Sequence, residues 1–153
     1  MFHVIIQARM GSRRLPGKSL RVYKNITPLE VLCKRLKKIK EISKIIIATT
    51  KKKEDDIIVV FCKTLNIPYF RGSSNNVLNR YYCAAKKFKS KEIIRLTADN
   101  PFIDKKTLLK MIKIKKNGTY DYVSNTYPIP CTYPDGSDIE IFDFQTLKKT
   151  HKL

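Results

Sequence analysis

Residues 7–20 read QARMGSRRLPGKSL and follow directly on the apolar run Val4, Ile5, Ile6. They hold four cations, two glycines, one proline and no acid, and the first acid of the whole chain is Glu30. A buried strand opening into such a loop brings backbone N–H groups and positive side chains to the strand's carboxyl end, where open α/β sheets bind ligands. The chemistry expected there is polyphosphate binding. Only eight of the 32 basic residues are Arg, and three of those eight are Arg9, Arg13 and Arg14, where planar bidentate recognition favours Arg over Lys. Two loop types fit phosphate, and spacing separates them. A Walker loop has four residues between its first Gly and its Gly-Lys-Ser/Thr end, with a helix starting at once. Here five residues separate Gly11 from Gly17, and Arg21 to Asn25 offer no helix start. The better reading is an irregular loop in which Gly11 and Gly17 permit tight backbone and Arg9, Arg13 and Lys18 reach over an anion.

The most informative acid is Asp99, in RLTADNPFID just past a second apolar run. At that place it either neutralises Arg9 or Lys18 or holds Mg²⁺, which commonly takes one or two carboxylates plus phosphate oxygens and water. Arg71-Gly72-Ser73 and Arg80 flank the start of a helix, where a cap role for Ser73 or Ser74 competes with ligand contact. Asp138, Ile139, Glu140 and Ile141 alternate, the pattern of a strand with one polar face.

The elements that must position these groups follow from patterning. Thr27, Pro28 and Glu30 start a helix that runs to about Glu41 on Leu29, Leu32, Cys33, Leu36 and Ile39. KIIIAT at 44–49 is a strand apolar on both faces, the mark of a parallel sheet. A helix follows from Glu54, with Ile57, Val60, Phe61 and Leu65 as its apolar face, then a short strand at 68–70 and a helix at 75–88. The next elements are a strand at 92–96, a helix capped by Asp104 and closed by Asn117-Gly118, a strand at 122–124, a strand within 133–142 and a helix from about Asp143. This alternation predicts a single doubly wound α/β domain, a mostly parallel central sheet with helices on both faces. The loops after its strands (9–18, 49–50, 71–73 and 97–100) then share one rim.

Composition narrows the class. At 153 residues, 42% apolar and 29% charged, the chain is globular, and no apolar run approaches the roughly 18 residues of a membrane span, so a cytoplasmic protein is expected. Cys33, Cys62, Cys83 and Cys131 show no paired spacing and read as reduced core thiols. A formal charge of +19 invites a nucleic-acid reading, but the lysines are spread over several faces rather than one stripe. A glycosyltransferase of the same broad fold and a basic nucleic-acid binder are the alternatives to a nucleotide-using enzyme.

IIQARMGSRRLPGKSL, IIIATTKKKEDD, YFRGSSNNVLNRYY, IIRLTADNPFID and YVSNTYPIPCTYPDGSDIEIF occur in the order of the sugar cytidylyltransferases. The chain resembles the acylneuraminate and 3-deoxy-manno-octulosonate enzymes, and above all the spore coat polysaccharide biosynthesis protein F type. The resemblance implies a nucleotide-diphospho-sugar transferase fold, Rossmann-like, and the reaction CTP plus sugar giving CMP-sugar and pyrophosphate. It implies triphosphate contacts from Arg9, Ser12 and Lys18, with Ala8, Gly11 and Arg13 in the same nucleotide-binding stretch. Arg71 and Arg80 would border the base or ribose, Asp99 would hold Mg²⁺, and Asp138 and Glu140 would face the sugar. Ala98 stands where the family usually has Gly, and Asn76 where it often has Asp. Family members continue well past the position of Leu153, so the chain resembles a member lacking the C-terminal part, which in relatives supplies another metal carboxylate and much of a homodimer contact.

Overall fold

The computed structural model describes residues 1–12, 15–126, 133–134 and 136–153. Among them six strands form one sheet in the order β3-β2-β1-β4-β6-β5. These are β1 (Phe2–Gln7), β2 (Ile42–Thr50), β3 (Tyr69–Gly72), β4 (Glu92–Thr97), β5 (Tyr122–Ser124) and β6 (Glu140–Asp143). β3, β2, β1 and β4 run parallel, whereas β6 is antiparallel to both β4 and β5. The first connection carries the chain from β1 to β2 on one side, and β4 later fills the other side of β1. That reversal opens a crevice at the carboxyl end of β1, the usual ligand position in such sheets.

Five helices cover the two faces: α1 (Pro28–Leu36), α2 (Asp56–Thr64), α3 (Val77–Lys87), α4 (Lys105–Asn117) and α5 (Phe144–Lys152). Val4, Ile6, Ile45, Ile47, Ile94 and Leu96 pack with Leu32, Ile58 and Leu108, from α1, α2 and α4. The alternate residues Ile5, Ile46, Ala48 and Ile93 pack with Tyr81, Ala84, Ala85 and Leu147, from α3 and α5. Both faces of the central strands are therefore apolar, which is why their sequences read as continuous runs. The doubly wound α/β expectation holds, with one antiparallel strand inserted near the sheet edge.

Three local expectations are corrected. α1 ends at Leu36, and a tightened turn with Ile39 N–H donating to Leu36 O carries Ile39 into the core. On α2, Ile57 and Val60 are exposed; the buried pair is Ile58 and Cys62, with Phe61 and Leu65 beside them. IIVVFC is apolar all round, so its period fixes no face, and packing selects the row 58, 61, 62, 65. At α3 the cap is Asn76, whose side chain accepts the Asn79 N–H at 2.8 Å; Ser73 instead accepts the Asn76 N–H one step earlier.

Candidate functional site

The cation-rich loop leaves the sheet after Ala8, whose N–H still bonds Ala48 O of β2. Its centre is Met10, whose carbonyl accepts the N–H groups of Ser12 at 2.8 Å and Gly17 at 2.9 Å. Gly17 has φ 71°, a left-handed conformation that Gly adopts without the Cβ penalty. It delivers the chain into a single helical turn, Lys18–Leu20, with Ser19 buried beneath. Lys18 then projects over the end of β4 and forms an ion pair with Asp99. Partial burial works to raise the Asp99 pKa, but hydrogen bonds from Lys18 and Thr97 and the charge of Lys18 outweigh it and hold the carboxyl below its ordinary value.

Around this pair lies a cavity of ≈ 300 Å³ lined by Gln7, Ala8, Arg9, Ser12, Lys18, Ser19, Arg80, Ala98 and Asp99. Arg9 also borders a second lobe of ≈ 450 Å³, formed with Gly11, Thr50, Lys52, Glu54, Asp55, Ser74 and Asn75. Among the described residues, three cations meet a single carboxylate in the first lobe. Arg80 is the most unusual of them, at 2% exposure, with one guanidinium nitrogen donating to Ser73 O and its Nε buried without a hydrogen-bond partner among the described residues. Burial lowers its pKa, Arg9 pushes the same way, and Tyr81 and Asp55 oppose this. An Arg stays charged even so, and an anion in the cavity would replace part of its lost hydration.

The sequence-predicted residues separate into groups. Ala8, Arg9, Ser12, Lys18, Arg80 and Asp99 meet in the first lobe, and Gly11 borders the second. Arg13 and Cys131 lie outside the described residues. Arg71 lines neither lobe: its Nε and one terminal nitrogen donate to Thr50 O and Lys52 O, both at 2.9 Å, and it pairs with Asp56 at 2.6 Å. Glu140 pairs with Arg95 and lines a different cavity of ≈ 370 Å³ with Val77, Leu78, Tyr81, Tyr122 and Phe142. Asp138 is exposed and borders none of these cavities. The polar face expected of residues 138–141 is thus divided, since β6 begins only at Glu140.

Sequence reasoning missed Gln7, Ser19 and the second lobe. Gln7 carried a usable signal, a polar residue ending a buried strand. Asp55 carried a misleading one, because acids at a helix start are explained by the helix dipole alone.

For a divalent metal, the oxygen donor of Asp99 beside a phosphate-sized cavity has the chemistry that Mg²⁺ prefers, with phosphates and water completing the shell. No group of three or more His, Cys, Asp or Glu side chains gathers among the described residues, so a protein-only cage is not what this site offers.

Comparison with known proteins gives a consistent family. The family described as cytidylyltransferase matches residues 3–153. An uncharacterized protein, MJ1063, of Methanocaldococcus jannaschii is 41% identical over 148 residues, covering 97% of this chain and 59% of the relative. Spore coat polysaccharide biosynthesis protein SpsF of Bacillus subtilis is 40% identical over 127 residues, covering 79% of this chain and 53% of the relative. The chain therefore spans under two thirds of the length of these curated relatives. Among solved structures, a cytidylyltransferase from Leptospira borgpetersenii superposes with TM-score 0.90 at 36% identity, covering 99% of this chain and 64% of the other. A CMP:2-keto-3-deoxy-manno-octonic acid synthetase complexed with CTP shares the fold at TM-score 0.76 and 15% identity, covering 100% and 78%.

Proposed function

We propose that this chain, which belongs to the cytidylyltransferase family, binds CTP in the two-lobed cleft and serves transfer of its cytidylyl group to a sugar. The observation that carries the reading is the convergence of Arg9, Lys18 and Arg80 on one cavity in which Asp99 is the sole carboxylate among the described residues. That imbalance suits a triphosphate, which brings the missing negative charge. In the reaction a sugar hydroxyl attacks the α-phosphorus in line and gives its proton to solvent, the bond to the bridging oxygen breaks, and pyrophosphate leaves. Arg9 and Lys18 stabilise charge on the β and γ phosphates, and Ser12 orients them. Each such contact contributes about 2 to 4 kcal/mol if it strengthens in the transition state. Asp99 would hold Mg²⁺, which when bound neutralises phosphate charge and withdraws density from the α-phosphorus. Lys18 would release Asp99 as the phosphates arrive. The sugar is read as an acidic nonulosonic or octulosonic acid for a surface polysaccharide, supported by the relatedness to the spore coat polysaccharide protein.

The test is a melting-temperature screen of nucleoside triphosphates with Mg²⁺, followed by a pyrophosphate-release assay with acidic sugars. CTP at 100 times its Kd raises stability by about 2.7 kcal/mol. No shift with any nucleotide overturns the binding site. A shift without pyrophosphate release from any sugar overturns the reaction.

A further inference from the structure

We propose that Asp55 is a positioning residue that holds the phosphate loop in its binding shape before a nucleotide arrives; this rests on the reading of residues 8–18 as the triphosphate loop. Asp55 is fully buried, and it takes part in no ion pair among the described residues. A buried carboxylate persists only where hydrogen bonds replace its hydration. It stands at the N-cap of α2, where an Asp ordinarily accepts helix N–H groups, yet it makes no side-chain cap bond there. The carboxylate is turned away from its own helix. Oδ1 accepts the Met10 N–H at 2.7 Å, and Oδ2 accepts the Thr50 hydroxyl.

Those two bonds join the loop to a rigid frame. Met10 is also the residue whose carbonyl, in the next peptide unit, gathers the Ser12 and Gly17 N–H groups, so holding its N–H restrains the approach to Lys18. On the other side, Thr50 Oγ1 accepts the Lys52 N–H at 3.1 Å, and Arg71 clamps the Thr50 and Lys52 carbonyls. Arg71 thereby acts on the site through the backbone that holds Asp55. The adjacent Glu54 also closes on the loop, since a Cβ built on Gly11 would meet Glu54 Oε1 at 2.7 Å. A loop held in advance spares the nucleotide the cost of ordering it.

The experiment compares the unsubstituted chain with Asp55→Ala, Asp55→Asn and Thr50→Val by calorimetric titration with Mg·CTP and with CMP, alongside amide hydrogen exchange at Met10. Asp55→Ala is expected to weaken CTP by tenfold or more, the range for a lost charge-assisted hydrogen bond, while CMP, which lacks the β and γ phosphates, changes less than twofold. Asp55→Asn, which keeps an acceptor for Met10, recovers most of the loss. Thr50→Val, which cuts the other bond, falls between. Met10 N–H should already be protected in the nucleotide-free chain, a reading that needs no variant to fold. Equal loss of CTP and CMP, an unchanged CTP affinity in folded Asp55→Ala, or Met10 exchanging as fast as an open loop would each overturn the assignment. Absence of CTP binding by the unsubstituted chain would instead overturn the function, with Met10 protection still deciding the anchor.

Discussion

Two cavities lie against the same sheet, and they treat charge in opposite ways. In the groove over β4, β6 and β5, Arg95 is matched by Glu140 and stacks over Tyr81, whose hydroxyl donates to Leu96 O; the rest of the wall is largely apolar. In the first lobe of the cleft, at the end of β1, Arg9, Lys18 and Arg80 share a single carboxylate among the described residues. The groove's cation is paired inside the protein, whereas among the described residues Arg9 and Arg80 of the first lobe form no ion pair, the pattern expected if they are kept for a ligand. Arg71 and Asp55 are bonded within the protein as well, although Asp55 lines the second lobe of the cleft.

The strongest way to break this contrast is Lys18→Ala. It should lower turnover by roughly a hundredfold or more, the scale of a lost transition-state donor. Its ion pair with Asp99 is partly exposed, so melting temperature should move by only about 3 °C or less, as a pair worth under about 1 kcal/mol requires. Full activity with lowered stability would place Lys18 among the structural charges. Next in size, Asp99→Asn should weaken the Mg²⁺ dependence of CTP binding by about tenfold, by analogy with a lost charged partner. An unchanged Mg²⁺ titration removes Asp99 from the metal.

Glu140→Gln tests the other cavity. Leaving Arg95 half-buried without its counter-charge should cost about 1 to 2 kcal/mol, seen as a fall of roughly 3 to 8 °C in melting temperature, with CTP affinity unchanged. A raised KM for the sugar at unchanged stability would return Glu140 to substrate binding and join the groove to the cleft.

The smallest effect is in pH. Because the Asp99 pKa is depressed in the native chain, its pairing contributes stability above the ordinary aspartate range, and that contribution is lost as pH falls through the lower native value. The melting temperatures of the unsubstituted chain and Asp99→Asn should therefore converge below about pH 4, by less than about 1 kcal/mol for an exposed pair. The thiols give the opposite slope. Burial pushes Cys33 and Cys62 up to about 12, so the native state keeps protons that the unfolded chain releases, and stability should fall as pH rises above about 9. Cleft and core are then distinguishable by the direction of their pH response.

Local patterning was enough for the order of strands and helices, because apolar period and cap residues act within a few positions. Thr27, Asp104 and Asp143 each cap the helix that their spacing predicts. It also determined that the loops bearing Arg9, Lys18 and Asp99 share a rim, since a parallel sheet puts every strand's carboxyl end on one side. Which groups meet was settled by tertiary packing. Lys18 and Asp99 are 81 positions apart, Arg95 and Glu140 are 45, and Met10 and Asp55 are 45. No local pattern encodes such pairings; they follow from strand register and from the depth at which each helix packs. The same packing buried Arg80 and turned Asp55 away from its helix toward the loop, where bonding at a distance overrode the local preference.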